Sequence, residues 1–140
     1  MKVKRLYEEA LLPTKATEGS AAFDLYAYTE APLEPCETFK YKTGIALEIP
    51  EGRVGLIFPR SGLSTKFGIR LSNCVGVIDS YYRGEIIVAL HNDGDESYMI
   101  NRGDRIAQLM IVDIPKIGIE EVAELSDTKR GIGGFGSSGK

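Results

Sequence analysis

A chain of 140 residues, 43% apolar and 26% charged, is long enough for one domain with its own core. Its 17 Lys/Arg against 20 Asp/Glu give a net charge of −3, without the basic excess of a general nucleic-acid or membrane binder. No apolar run reaches the length of a membrane-spanning helix. The opening MKVKRLYEEALLP meets Glu8 and Glu9 before any signal-type apolar stretch forms, so the expected residence is the cytosol.

In chain order, the strand signals begin at SAAFDLYAY, where Asp24 lies between Phe23 and Leu25. FKYKTGIALEIP (Phe39 to Pro50) alternates at first and ends at a Pro–Glu–Gly turn. RVGLIFPR (Arg53 to Arg60) is apolar and stops at Pro59. LSTKFG (Leu63 to Gly68) is the one stretch that reads as a helical turn. NCVGVIDSYYRGEI (Asn73 to Ile86) reads as a hairpin bending near Asp79. GEIIVALHN (Gly84 to Asn92) and RIAQLMIVDI (Arg105 to Ile114) are β-rich and separated by the polar turn DGDES. The 16 glycines and six prolines fall mostly between these runs. Short strands with regular turn signals predict an all-β domain, a jelly-roll-like double sheet.

Several of these stretches carry chemistry. Alternation points Asp24 away from Phe23 and Leu25, either to solvent or toward the water shell of a hard cation. Arg60, Ser61 and Gly62 follow a strand end, where two donors and an approachable backbone make either a solvated turn or an anion contact. The Asn73–Ile86 stretch is either a plain hairpin or a platform. A platform would read a base edge with its main chain, pack a tyrosine on a sugar and orient a water through Asp79. Gln108 interrupts an apolar strand, and its amide either caps a neighbouring backbone group or meets a substrate. Cys36 and Cys74 fit no metal spacing and read as free, partly buried thiols. His91 is the only histidine, too few for a zinc site. Acid–base chemistry therefore falls to a carboxylate.

The C-terminal RGIGGFGSSGK fits both GxGxxG (Gly131, Gly133, Gly136) and the beginning of GxxxxGK (Gly134, Gly139, Lys140). Both motifs act by leading a glycine turn into a helix, and none is expected to follow here. Two readings stay open: a flexible tail, or a lid closing over a nucleotide held elsewhere. Arg130 and Phe135 open the lid reading, because they supply a guanidinium for phosphate and a flat apolar face.

Taken together, FDLYA, PRSGLS, GVIDSYYRGEI, GDRIAQL and RGIGGFGSSG, in this order from Ala21 to Gly139, resemble the five motifs of the trimeric dUTPases. Departures are small: Ala22 stands where glycine is frequent, Tyr81 where aspartate is common, and Ser138 where threonine is common. The resemblance implies a β-clip, jelly-roll-like domain over residues 1–125 and a glycine-rich closing arm over 126–140. It implies a homotrimer with shared active sites and the reaction dUTP + water → dUMP + pyrophosphate, with Mg²⁺. It makes Asp79 the residue that activates the attacking water and sets Tyr82 beneath the deoxyribose. Asn73, Gly76, Val77 and Ile78 would read uracil. Arg60, Ser61, Gly62 and Gln108 would contact phosphates. Asp24 would lie near the metal's water shell. Arg130, Phe135, Gly136 and Ser137 would form the arm, reaching in from another subunit. The reaction would limit uracil entry into DNA and supply dUMP for dTMP synthesis. The rival expectations are a dCTP deaminase on a related fold and a nucleotide-responsive regulatory binder.

Overall fold

The computed structural model describes residues 1–134, and ten strands and one short helix lie within them. The strands are β1 (Lys2–Arg5), β2 (Phe23–Tyr26), β3 (Ala31–Leu33), β4 (Thr38–Glu48) and β5 (Arg53–Phe58), followed by α1 (Ser61–Phe67). After it come β6 (Ile69–Leu71), β7 (Gly76–Ile78), β8 (Glu85–Asn92), β9 (Tyr98–Ile100) and β10 (Arg105–Asp113). One four-stranded sheet has the order β1-β4-β8-β6, a second has β2-β10-β5-β7, and β3 pairs with β9 in a small third sheet. The double-sheet expectation holds.

The two large sheets face each other through alternating side chains. Ile86, Val88 and Leu90 of β8 are buried while Ile87 between them is exposed, which is the period-two signature of a strand with one covered face. Ile106 and Leu109 of β10, Ile57 of β5 and Leu25 of β2 supply apolar groups to the same core. Tyr41 of β4 is fully buried, and its hydroxyl donates to Ala31 O at 3.2 Å.

Three expectations need correction. The helix starts at Ser61, two residues before the predicted turn, so Ser61 and Gly62 form its first turn and Arg60 its N-cap. Gly68 closes it at φ 69, in the left-handed region that glycine enters without steric cost. The Asn73–Ile86 stretch is not a hairpin. β7 pairs with β5 in one sheet, whereas β8 pairs with β4 and β6 in the other. The chain between them crosses from sheet to sheet, because the inner faces of both sheets must be covered by successive segments. Finally, Cys36 and Cys74 are free but exposed rather than partly buried. Both sit at φ 61, in tight turns that lift them out of the core.

Candidate active site

The expected site residues separate into two groups on the β2-β10-β5-β7 sheet. The first gathers around Asp24. On β10, Gln108 lies opposite Asp24 of β2 on one side and Phe58 of β5 on the other, so the three share a face. Asp24, Gln108 and Phe58 line a cavity of about 380 Å³ together with Ser20, Ala22 and Met110.

Asp24 is only 5% exposed, so it is neither surface-facing nor free. Its Oδ1 lies 3.3 Å from Arg60 Nε and its Oδ2 accepts from Arg105 Nη1 at 3.3 Å. Arg60 Nη1 in turn donates to Arg105 O at 3.2 Å. The Oδ1–Arg60 contact is close but poorly aligned, and both atoms lack a hydrogen bond. A buried carboxylate oxygen with spare accepting capacity beside an open cavity is suited to a donor from a ligand or its water shell.

Arg105 was missed in the sequence reading, and the reason is local. Register runs Gln108↔Asp24 and Ala107↔Leu25, then shifts, so that Arg105 rather than Ile106 pairs with Tyr26. The inserted residue is a β-bulge. Strict alternation would point Arg105 to the face opposite Gln108, whereas the bulge turns it to Asp24's side. The GDR turn before the strand is visible in sequence, but the extra residue is not.

The second group gathers around Asp79. β7 is the last strand of its sheet, so β5 satisfies one of its edges and the other is free within the chain. Asn73 precedes it in a tight turn in which Val75 N–H donates to Asn73 O at 2.6 Å. Asp79 follows β7 and opens a β-turn closed by Tyr82 N–H donating to Asp79 O at 3.1 Å. Arg83, also absent from the expected set, holds this turn. Its Nη1 donates to Ser80 O at 2.6 Å and to Tyr82 O at 2.9 Å. The Tyr82 hydroxyl donates to Glu85 O at 3.0 Å. Asp79 and Tyr82 line a cavity of about 230 Å³ with Val77, Ile78 and Glu85.

One chain does not unite the two groups. Asp24 is on β2 at one edge of the sheet and Asp79 follows β7 at the other. Three strand spacings separate them, roughly 14 Å across the sheet, and the step from Phe58 back to the level of Asp79 adds roughly 13 Å along β5. Arg130 belongs to neither group: its Nε donates to Gly133 O at 2.8 Å within an exposed local turn. Phe135, Gly136 and Ser137 lie outside the described residues. His91 is on the other large sheet, with Nδ1 2.8 Å from Thr38 Oγ1 and Nε2 3.3 Å from Asp93 Oδ1. Among the described residues no cluster of three His, Cys, Asp or Glu side chains is arranged to hold a metal directly. No helix among them is long and apolar enough to cross a membrane.

A family model described as dUTPase matches residues 8–139. A deoxyuridine 5'-triphosphate nucleotidohydrolase of Clostridium kluyveri is 47% identical over 137 residues, covering 98% of this chain and 96% of its own. Among solved structures, a mutant dUTPase of Staphylococcus bacteriophage 80alpha with dUpNHpp superposes with a TM-score of 0.92 at 34% identity, covering 99% of this chain and 98% of that one. A mutant dUTPase from phage phi11 of S. aureus, whose structure reveals coordination of a structural Mg(II) ion, gives a TM-score of 0.82 at 31% identity. It covers 88% of this chain and 96% of that one. A match of this extent to the family model and to a near-full-length relative means that the chain belongs to the dUTPase family.

Proposed function

We propose that the protein hydrolyses dUTP to dUMP and pyrophosphate in active sites shared between the subunits of a homotrimer. The observation that carries this reading is the division of the site. A phosphate-type group (Asp24, Arg60, Arg105, Gln108) and a base-and-water group (Asp79, Tyr82) stand at opposite edges of one sheet. Neither group alone provides both an anion clamp and a base. A second copy bringing its Asp79 edge against this copy's Asp24 edge completes the constellation.

The free edge of β7 offers main-chain N–H and C=O groups that pair with uracil in the way a neighbouring strand would. Backbone pressed against the ring leaves no space for the 5-methyl of thymine. Cytosine presents a donor where uracil presents an acceptor, and leaving that group unpaired costs about 1–3 kcal/mol. Tyr82 lies under the deoxyribose and crowds out a 2'-hydroxyl. Asn73 steadies the entrance to the reading strand.

Arg60, Ser61, Gly62, Arg105 and Gln108 hold the phosphates. Ser61 and Gly62 contribute first-turn N–H groups that a helix leaves without internal partners. Asp79 aligns a water and takes its proton as the water oxygen bonds to the α-phosphorus. The bond from that phosphorus to the bridging oxygen breaks, and pyrophosphate departs with its electron pair. The Asp24 carboxylate would accept a hydrogen bond from a water of a Mg²⁺ ion brought in with the substrate. When bound, that ion draws charge from the phosphates and fixes their conformation. Residues 126–140 act as an arm from another subunit, with Arg130, Gly136 and Ser137 on the phosphates and Phe135 over the base. The cytosol, where deoxynucleotides are made and used, is the proposed compartment.

Pyrophosphate release from dUTP, dTTP, dCTP and UTP, with and without Mg²⁺, tests the reading. Release from dUTP alone, dependent on Mg²⁺, is expected. Ammonia release from dCTP, or equal turnover of UTP and dUTP, overturns it.

A further inference from the structure

The Asp79–Tyr82 turn is followed by a glycine whose reason is not torsional. Gly84 is not among the glycines with positive φ, so its backbone would accept an alanine. The obstacle is the side chain two residues before it. A Cβ built on Gly84 would stand 2.6 Å from Tyr82 Cζ and 3.0 Å from Cε2, with the hydroxyl oxygen nearer still. Carbon atoms in contact sit about 3.5–4.0 Å apart. The ring therefore lies against bare main chain at a depth it could not keep if position 84 carried a side chain.

Two further contacts fix the ring there. The Tyr82 hydroxyl donates to Glu85 O at 3.0 Å, and Tyr82 N–H donates to Asp79 O at 3.1 Å. The tyrosine is thus tied at its tip, at its backbone and along its ring edge. It still lines the Asp79 cavity, since its side chain is not enclosed. The atoms in the way are the outer end of a half-exposed side chain, so a methyl on Gly84 is accommodated by moving the ring rather than the backbone. That movement takes the hydroxyl away from Glu85 O and shifts the ring from its place beside the cavity that Asp79 lines.

We propose that Gly84 is a positioning residue for substrate selection. By admitting the Tyr82 ring against the main chain, it sets how deep the sugar sits and how firmly a 2'-hydroxyl is refused. This rests on the reading of Tyr82 as the sugar platform. The expected consequence is specific: Gly84→Ala loses discrimination between dUTP and UTP, not merely turnover.

The test is a double-mutant cycle over Gly84→Ala, Tyr82→Ala and the double variant. The readout is the ratio of kcat/KM for dUTP to that for UTP, with circular dichroism to establish folding. We expect Gly84→Ala to lower the ratio at least tenfold. In the Tyr82→Ala background, the same change should alter the ratio less than twofold, because the ring it displaces is gone. If Gly84→Ala does not fold but the double variant does, the ring–glycine contact is established by the rescue. The proposal is overturned if Gly84→Ala keeps the ratio within twofold of the parent. It is equally overturned if the effect is as large without the ring, or if the double variant is unfolded while Tyr82→Ala is folded. If Tyr82→Ala itself retains full discrimination, the platform reading fails instead, and the two failures are told apart by that single variant.

Discussion

Replacing Asp24 with asparagine keeps the shape of the side chain and removes its charge. Asp24's side chain is 6% exposed, against 26% for Arg60 and 47% for Arg105. Removing one partner from a buried ion pair costs about 3–5 kcal/mol, because the remaining charge stays unsolvated. Here the two arginines differ. Arg105 is nearly half exposed and regains water, so its share is small. Arg60 Nε is buried and cannot. A loss of about 2–3 kcal/mol follows, lowering Tm by roughly 5–10 °C for a chain of this size. Scanning calorimetry at one fixed protein concentration measures it, since the proposed assembly would make Tm concentration-dependent. Repeating the scan at high salt separates this pair from a surface one, because buried charges are little screened and the deficit should persist. A Tm within about 1 °C of the parent would refute the reasoning, since it would mean that Asp24 does not hold Arg60.

Asp79→Asn should lower turnover about 10²–10⁴-fold, the range of a lost general base. dUpNHpp binding, followed by calorimetry, should survive. Deleting Gly131 to Lys140 should leave the unfolding transition and the oligomeric mass unchanged while turnover collapses, which light scattering and pyrophosphate release read together. Burial, reinforced by the Glu37 charge, pushes the Tyr41 hydroxyl up to about 12 from its ordinary 10. The folded state therefore keeps this proton more tightly than the unfolded chain, and the stability it contributes is present below pH 10 and lost as pH rises toward 12. Tyr41→Phe should flatten that alkaline decline relative to the parent in denaturant titrations at stepped pH.

Much of the fold was readable because period and punctuation agree. GEIIVALHN runs apolar up to the polar turn that starts at Asp93 and RIAQLMIVDI up to the break at Pro115, and the strands end at Asn92 and Asp113. The short strand GVI gave no such guidance. Its three residues are compatible with pairing to β8 after the turn or to β5 before it, and only the packing of two sheets decides. Asp24 illustrates a second limit. Alternation correctly separated it from its neighbours, but whether that face meets water or two arginines depends on strands distant in sequence. Arg105 illustrates a third, because a one-residue bulge reverses the face that counting assigns. Gly84 was visible as a letter in YRGE, yet its contact with Tyr82 arises from the path of the turn.

The placement of Asp24 and Asp79 at opposite margins of one sheet has a genetic corollary. With the site divided between subunits as proposed, a variant crippled at Asp79 would still carry the anion clamp, and one crippled at Arg60 would still carry the base. Co-expressed, two such silent chains would recover part of the lost catalysis by complementation inside mixed assemblies, whereas either allele alone would score as null.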